Sequence, residues 1–160
     1  DGAAYLPRYR VDGFVNRKLL ASRQWVATLG AGYYRAPDGH IDRNISLGST
    51  YYFESPWVVQ AEVRFNNSSP GQVRTHQQFV AATWGRAKQT QVIARHGWGA
   101  EGYQAIGGGA SLVNFDSRQT QLTLRQWVGP QWGFTAGVER YSNPFYDRNG
   151  ARLSLFWELP

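Results

Sequence analysis

The sequence predicts an all-β fold, an antiparallel transmembrane β-barrel, and three observations carry that prediction. First, Ile45 to Phe65 holds a complete hairpin with two different faces: past the turn at 54–56, Trp57, Val59, Ala61, Val63 and Phe65 alternate with Val58, Gln60, Glu62 and Arg64. Successive side chains of a strand point to opposite sides, so the segment has one apolar and one polar face. Second, aromatic residues bound the apolar face at Trp57 and Phe65. Eight steps of ~3.3 Å, tilted by ~40°, cover roughly 20 Å, near the ~25 Å apolar band that aromatic girdles flank in outer-membrane barrels. Third, short turns at 21–24, 54–56, 87–88 and 129–131 alternate with longer loops at 36–42, 66–74, 99–114 and 142–149. Short periplasmic turns and longer outside loops alternate in the same way.

Composition narrows the class further. The 160 residues include seven Trp, nine Tyr and eight Phe but no Cys or Met, and long Leu/Ile/Val runs that would fill a soluble core are missing. No stretch approaches the ~18 apolar residues of a transmembrane helix, whereas a barrel strand needs about ten and alternates. Seventeen basic residues against eleven acidic ones give a net charge of +6. The basic residues are scattered one per strand or turn, without the cluster or helix that fits a nucleic-acid groove, so no nucleic-acid partner is expected. A solvated basic surface, anionic lipid headgroups and an anionic glycan remain as readings of the charge, with outer-membrane lipid and lipopolysaccharide as the expected surroundings.

Taken in order, Tyr9 to Leu20 alternates Tyr9, Val11, Gly13, Val15, Arg17 and Leu19 with Arg10, Asp12, Phe14, Asn16, Lys18 and Leu20. Trp25 to Tyr34 sets Trp25, Ala27, Leu29, Ala31 and Tyr33 outward, with small residues inward that leave room in a narrow interior. Pro37-Asp38-Gly39 marks a loop. After the Ile45 to Phe65 hairpin and the Asn66 to Arg74 loop, Gln77 to Arg86 and Gln89 to Trp98 form a hairpin whose phase the pattern leaves open. Val80, Ala82 and Trp84 face lipid in one phase and the interior in the other. Gly97 to Asn114 looks irregular, and its Gly107-Gly108-Gly109 lacks the following helix that a phosphate cradle requires. Phe115 to Val128, Trp132 to Tyr141 and Leu153 to Leu159 complete nine readable strands.

A single-chain bacterial barrel has an even number of strands and no open edge in lipid. About ten strands are therefore expected. Either one escapes the pattern, at Tyr103 to Leu112 or at the N-terminus, or the chain is the C-terminal part of a larger barrel. The whole of residues 1–160 is expected to form one outer-membrane barrel domain.

The segments STYYFESPWVVQAEVRF, FVAATWGRAKQTQVIARHGWGAEGY, FDSRQTQLTLRQWVGPQWGFTAGVERY and NPFYDRNGARLSLFWEL, between Ser49 and Leu159, resemble the C-terminal part of the YaiO-type outer-membrane β-barrel family. The resemblance implies a bacterial outer-membrane component of an envelope system that handles exported or surface polysaccharide, sometimes behind a periplasmic helical-repeat region. It also implies a role as a surface receptor for phages in some members.

Two sets of residues are the candidate site. Arg10, Asp12, Asn16, Lys18, Gln60, Glu62, Arg64, Arg125 and Glu139 fall on the inward face, with Arg95 in one of the two phases. They either cross-brace a packed interior through Arg-carboxylate pairs or line a polar passage for glycan or ions, where Tyr52, Trp127 and Tyr141 offer faces to sugar rings. Trp25, Trp57 and Trp132 stand at the first strand residue after a short turn and form the expected periplasmic girdle; Tyr33, Phe65 and Tyr141, with Phe145 and Tyr146, form the outer one. The chain has only three histidines, without Cys or close carboxylate spacing, so neither a metal nor another cofactor is expected. A lipid-modifying enzyme built on His40, His76, Asp42 and Ser68 is the alternative from another class, and a soluble carbohydrate-binding sandwich is the third.

Overall fold

The structure, a computed structural model, describes residues 8 to 158 other than 38, 55 and 108–109, and the backbone alone within 103–112. Strict two-residue alternation and turn residues at short intervals give nine strands: β1 (Tyr9–Leu19), β2 (Trp25–Arg35), β3 (Ile41–Tyr52), β4 (Trp57–Ser69), β5 (Val73–Gly85), β6 (Thr90–Gly107), β7 (Ala110–Trp127), β8 (Trp132–Ser142) and β9 (Asp147–Trp157). They form one antiparallel sheet in which each strand pairs with its neighbour in sequence. The turns place residues in the left-handed region where hairpins need it: Leu20 and Arg23 after β1, Gly71 and Gln72 after β4, and Lys88 after β5.

Register decides what the sequence left open. Val80 pairs with Ala61, Ala82 with Val59 and Trp84 with Trp57, so β5 continues the apolar face of β4. Arg95 pairs with Ala81 and Gln121 and therefore joins the polar face.

The sheet buries little apolar surface. Among the described residues only Ala36, Ala81, Phe115 and Tyr141 are buried hydrophobics, while Val15 is 69% exposed, Leu153 75% and Leu155 77%. The most enclosed side chain is instead polar: Ser46, on the polar face, is 2% exposed. It packs there beside Gly30, where an added Cβ would meet both its hydroxyl and the Phe14 ring at under 3 Å. The room expected from the small residues of β2 is thus occupied by neighbouring side chains. An exposed apolar face over a polar one is the inverse of a soluble core, and it matches a sheet whose outer solvent is lipid.

Two expectations change. The longer loops contract, because Asn66 to Ser69 continue β4 and pair with Ile41 to Asn44. Likewise Gly99 to Gly107 and Ala110 to Asn114 continue β6 and β7. The tenth strand expected over Tyr103 to Leu112 is this extension, not an element of its own; the N-terminal alternative lies outside the described residues. These segments carry no apolar alternation in sequence, yet ladder pairing satisfies their backbone groups. At 18 residues each, against 11 for β1, β2, β8 and β9, β6 and β7 run about 20 Å further along the strand direction at ~3.3 Å per residue.

The sheet is not closed: β1 and β9 are its two edges. Both run in the same direction, so pairing them directly would be parallel, unlike every other pair in the sheet.

Leu47 lies mid-strand between Leu29 and Val63 and is half exposed on the apolar face. Leu47→Arg is expected to lower the unfolding free energy in lipid vesicles by about 2–4 kcal/mol. Gln60→Arg, on the opposite face, is expected to stay within about 0.5 kcal/mol. Urea titration of the two variants checks the difference.

Candidate functional site

The polar face collects the charged residues that alternation assigned to it. On β1, Arg10 pairs with Asp12, and Asn16 accepts a hydrogen bond from Thr28 Oγ1 at 2.7 Å. Lys18 stands at the turn end of β1, opposite Val26. On β4, Gln60 Nε2 reaches Thr50 Oγ1 at 3.5 Å, and Arg64 donates to Glu62 Oε1 at 3.0 Å. The last pair sits two residues apart on one strand, so alternation alone brings it together.

Glu139 organises the far half of the face. Gln119 and Gln121 donate to its Oε2 at 3.3 and 3.2 Å, and Arg148 approaches Oε1 at 3.4 Å. Gly150 lies opposite Glu139, and a Cβ there would meet the glutamate side chain at 2.9 Å. The absence of a side chain at 150 is what gives the carboxylate its place.

Tyr141 is corrected from the outer girdle to this polar face. Alternation from Trp132 is unbroken along β8, so Tyr141 falls opposite Gln119 and Arg148. Its hydroxyl donates to Glu101 Oε1 at 2.9 Å, and its ring stands 5.2 Å from the Arg148 guanidinium. Together with Glu62, Arg64, Phe79, Arg95, Ser117, Gln119 and Gln121 it lines a pocket of ≈ 130 Å³.

Nearer the short turns, Arg125 lies between two rings, 4.5 Å from Trp127 and 4.1 Å from Phe156. Arg95 lies 3.9 Å over Phe79. Cation-π contacts of this kind hold guanidinium groups in place without a carboxylate. Sequence reasoning named Arg125 and Trp127 but missed Phe156 as their partner, since β9 reaches them only across β8.

The aromatic residues of the opposite face separate into two levels. At the short-turn end, Trp25 donates to Ser49 at 2.8 Å, Trp57 pairs with Trp84, and Trp132 stacks on Trp157 at 5.9 Å. Trp84 and Trp157 thus join the three tryptophans expected there; for Trp84 the available signal was its position as the last outward residue before the turn at 87–88. At the other end Tyr33, stacked on Tyr9 at 5.8 Å, and Phe65 share the apolar face. Phe145 and Tyr146 sit in the loop at 143–146, packed on Phe115 and Tyr141 respectively.

The residues of the lipase-like group are divided between the two faces. His40 Nε2 lies 3.2 Å from Asp42 Oδ1, and Asp42 pairs with Ser68. His76, opposite Phe65, lies on the apolar face, away from Asp42 and Ser68. A nucleophile and base within hydrogen-bond reach are what such chemistry requires.

Compared with known protein families, residues 1–104 match the YaiO membrane beta barrel domain. The chain belongs to the YaiO membrane β-barrel family. As a YaiO barrel domain it is an outer-membrane β-barrel protein of bacteria, which accounts for the apolar face that the sheet leaves exposed. The match overlaps the resemblance drawn from the sequence over 49–104 and extends it to the first residue; the similar segments past 104 lie outside it. No curated protein and no solved structure matches the chain.

Glu139→Ala removes the shared acceptor of Gln119, Gln121 and Arg148. A loss of about 1–3 kcal/mol in unfolding free energy is expected from the partners left unsatisfied. Glu139→Gln keeps an acceptor oxygen and should recover part of that loss, as read by denaturant midpoints of the two variants.

Proposed function

We propose that this YaiO barrel is a non-enzymatic outer-membrane component of a surface-polysaccharide export or envelope system, its polar face lining a passage for a hydrophilic molecule. The observation that carries the reading is the division of the sheet. One face presents aliphatic and aromatic residues to lipid. The other presents Arg, Glu, Gln and Thr side chains, with the pocket beside Tyr141 among them. Amide and hydroxyl groups can exchange hydrogen bonds with a hydroxylated chain, and charged rings set the selectivity of such pores. Family membership supports the membrane setting, and the polysaccharide assignment is drawn from the family resemblance. A periplasmic helical-repeat region or partner would hand the glycan to the barrel, and the loop ends would present a surface to phages.

The test is single-channel recording. The full-length protein, purified in detergent and shown to shift in gel mobility on boiling, is expected to give stepwise conductance in a planar bilayer. A neutral oligosaccharide added on one side should reduce that current. A folded, heat-modifiable protein without conductance overturns the passage reading. Export of surface polysaccharide that survives loss of the protein overturns the assignment to that system. Loss of lipid hydrolysis or acyl transfer on replacing His40 and His76 would favour the enzyme instead.

A further inference from the structure

Above the apolar band, the lipid-facing side of β2 to β5 changes character within one residue pair. Ile45 pairs with Ala31 and Phe65, and Phe65 with His76. One step towards the loops, Arg43 pairs with Tyr33 and Asn67, and Asn67 with Arg74. Tyr33, Arg43, Asn67 and Arg74 therefore form one row directly above the row of Ala31, Ile45, Phe65 and His76. Arg43 and Arg74 flank Asn67 on consecutive strands, with backbones about 10 Å apart at ~4.8 Å per strand. Both side chains can close on a group between them.

A groove of ≈ 390 Å³ opens at this boundary, lined by Ile45, Phe65 and His76 below and by Arg43, Asn67 and Arg74 above. Phe65 and Ile45 are more than half exposed, so the apolar part is open to lipid. The basic part is uncompensated: among the described residues neither Arg43 nor Arg74 has an ion-pair partner. No acidic side chain falls on this face of β2, β3, β4 or β5 near the row, since Asp42 and Glu62 point to the other face. The Arg43 guanidinium rests 5.8 Å from the Tyr33 ring, which positions it without neutralising it.

From Tyr51, at the tryptophan level, to Arg43 the apolar side of β3 covers eight residue steps, roughly 20 Å of membrane depth at ~40° tilt. The groove thus lies where hydrocarbon gives way to headgroups. We propose that it binds a phosphorylated outer-leaflet lipid. Arg43 and Arg74 hold the phosphate through paired guanidinium hydrogen bonds, Asn67 and His76 take neighbouring polar groups, and acyl chains lie on Ile45 and Phe65. Guanidinium forks match phosphate oxygens in geometry as well as charge, and basic pockets at headgroup depth recognise lipid heads in this way. The inference goes beyond the passage reading and is independent of it.

The test uses the full-length protein in detergent, titrated with bis-phosphorylated lipid A, with lipid A stripped of its phosphates and with inorganic phosphate, bound species being counted by native mass spectrometry. The phosphorylated lipid is expected to bind at least tenfold more tightly than the stripped one, with inorganic phosphate weaker still. Arg43→Gln with Arg74→Gln should abolish that preference while leaving heat-modifiable mobility intact. Equal binding of stripped lipid overturns the phosphate contact, and inorganic phosphate binding as well as the lipid overturns the apolar half. If the double variant loses its mobility shift, the single variants Arg43→Gln and Arg74→Gln decide, and an unchanged preference in both overturns the proposal.

Discussion

Hydrocarbon offers no partner to a peptide N–H or C=O, and the organisation of this protein depends on that constraint. Each such group left unpaired in the bilayer costs several kcal/mol. The pairing runs without a gap from β1 to β9, and every other feature is arranged around it. Side chains that point to lipid have only to be apolar, so small Ala residues and large Trp residues serve equally. Many side chains on the other face pair with one another, through short links such as Glu62 to Arg64 and longer ones such as Glu139 to Gln119, Gln121 and Arg148.

The polar face combines two ways of holding a charge. Near the loop ends, carboxylates take hydrogen bonds from tyrosine, glutamine and arginine. Nearer the short turns, guanidinium groups lie on aromatic rings, as Arg125 does between Trp127 and Phe156. The second arrangement fixes a cation while leaving its charge unneutralised. Glycines opposite bulky residues make room for both arrangements: Gly133 admits the Phe156 ring that lies against Arg125, and Gly150 the Glu139 carboxylate.

The sequence made the strands legible wherever one face met lipid, because there alternation is enforced at every second residue. Trp57 to Phe65 is the clearest case, and the register bears out its two faces. Alternation is absent from Asn66 to Ser69 and Gly99 to Gly107, so they looked like loops although they pair as strand. The phase of β5 was ambiguous for another reason. Val80, Ala82 and Trp84 on one face and Phe79, Ala81 and Thr83 on the other are almost equally apolar, and only pairing with β4 separates them. For the site, contacts along one strand or between a strand and its neighbour were legible. Tyr141 to Glu101 and Arg125 to Phe156 were not, because each depends on registers accumulated over two turns.

The strict sequential order of the strands also bears on how the sheet is made. Successive strands are separated in sequence by five residues or fewer, from the two between β6 and β7 to the five between β1 and β2. Closing so short a segment costs little chain entropy, and a topology built from local contacts folds without waiting for distant partners. The sheet can therefore grow by adding each strand to its neighbour in sequence, each new strand finding a template already in place. Among the described strands, the slow, non-local step is confined to whatever pairs with the outer edges of β1 and β9.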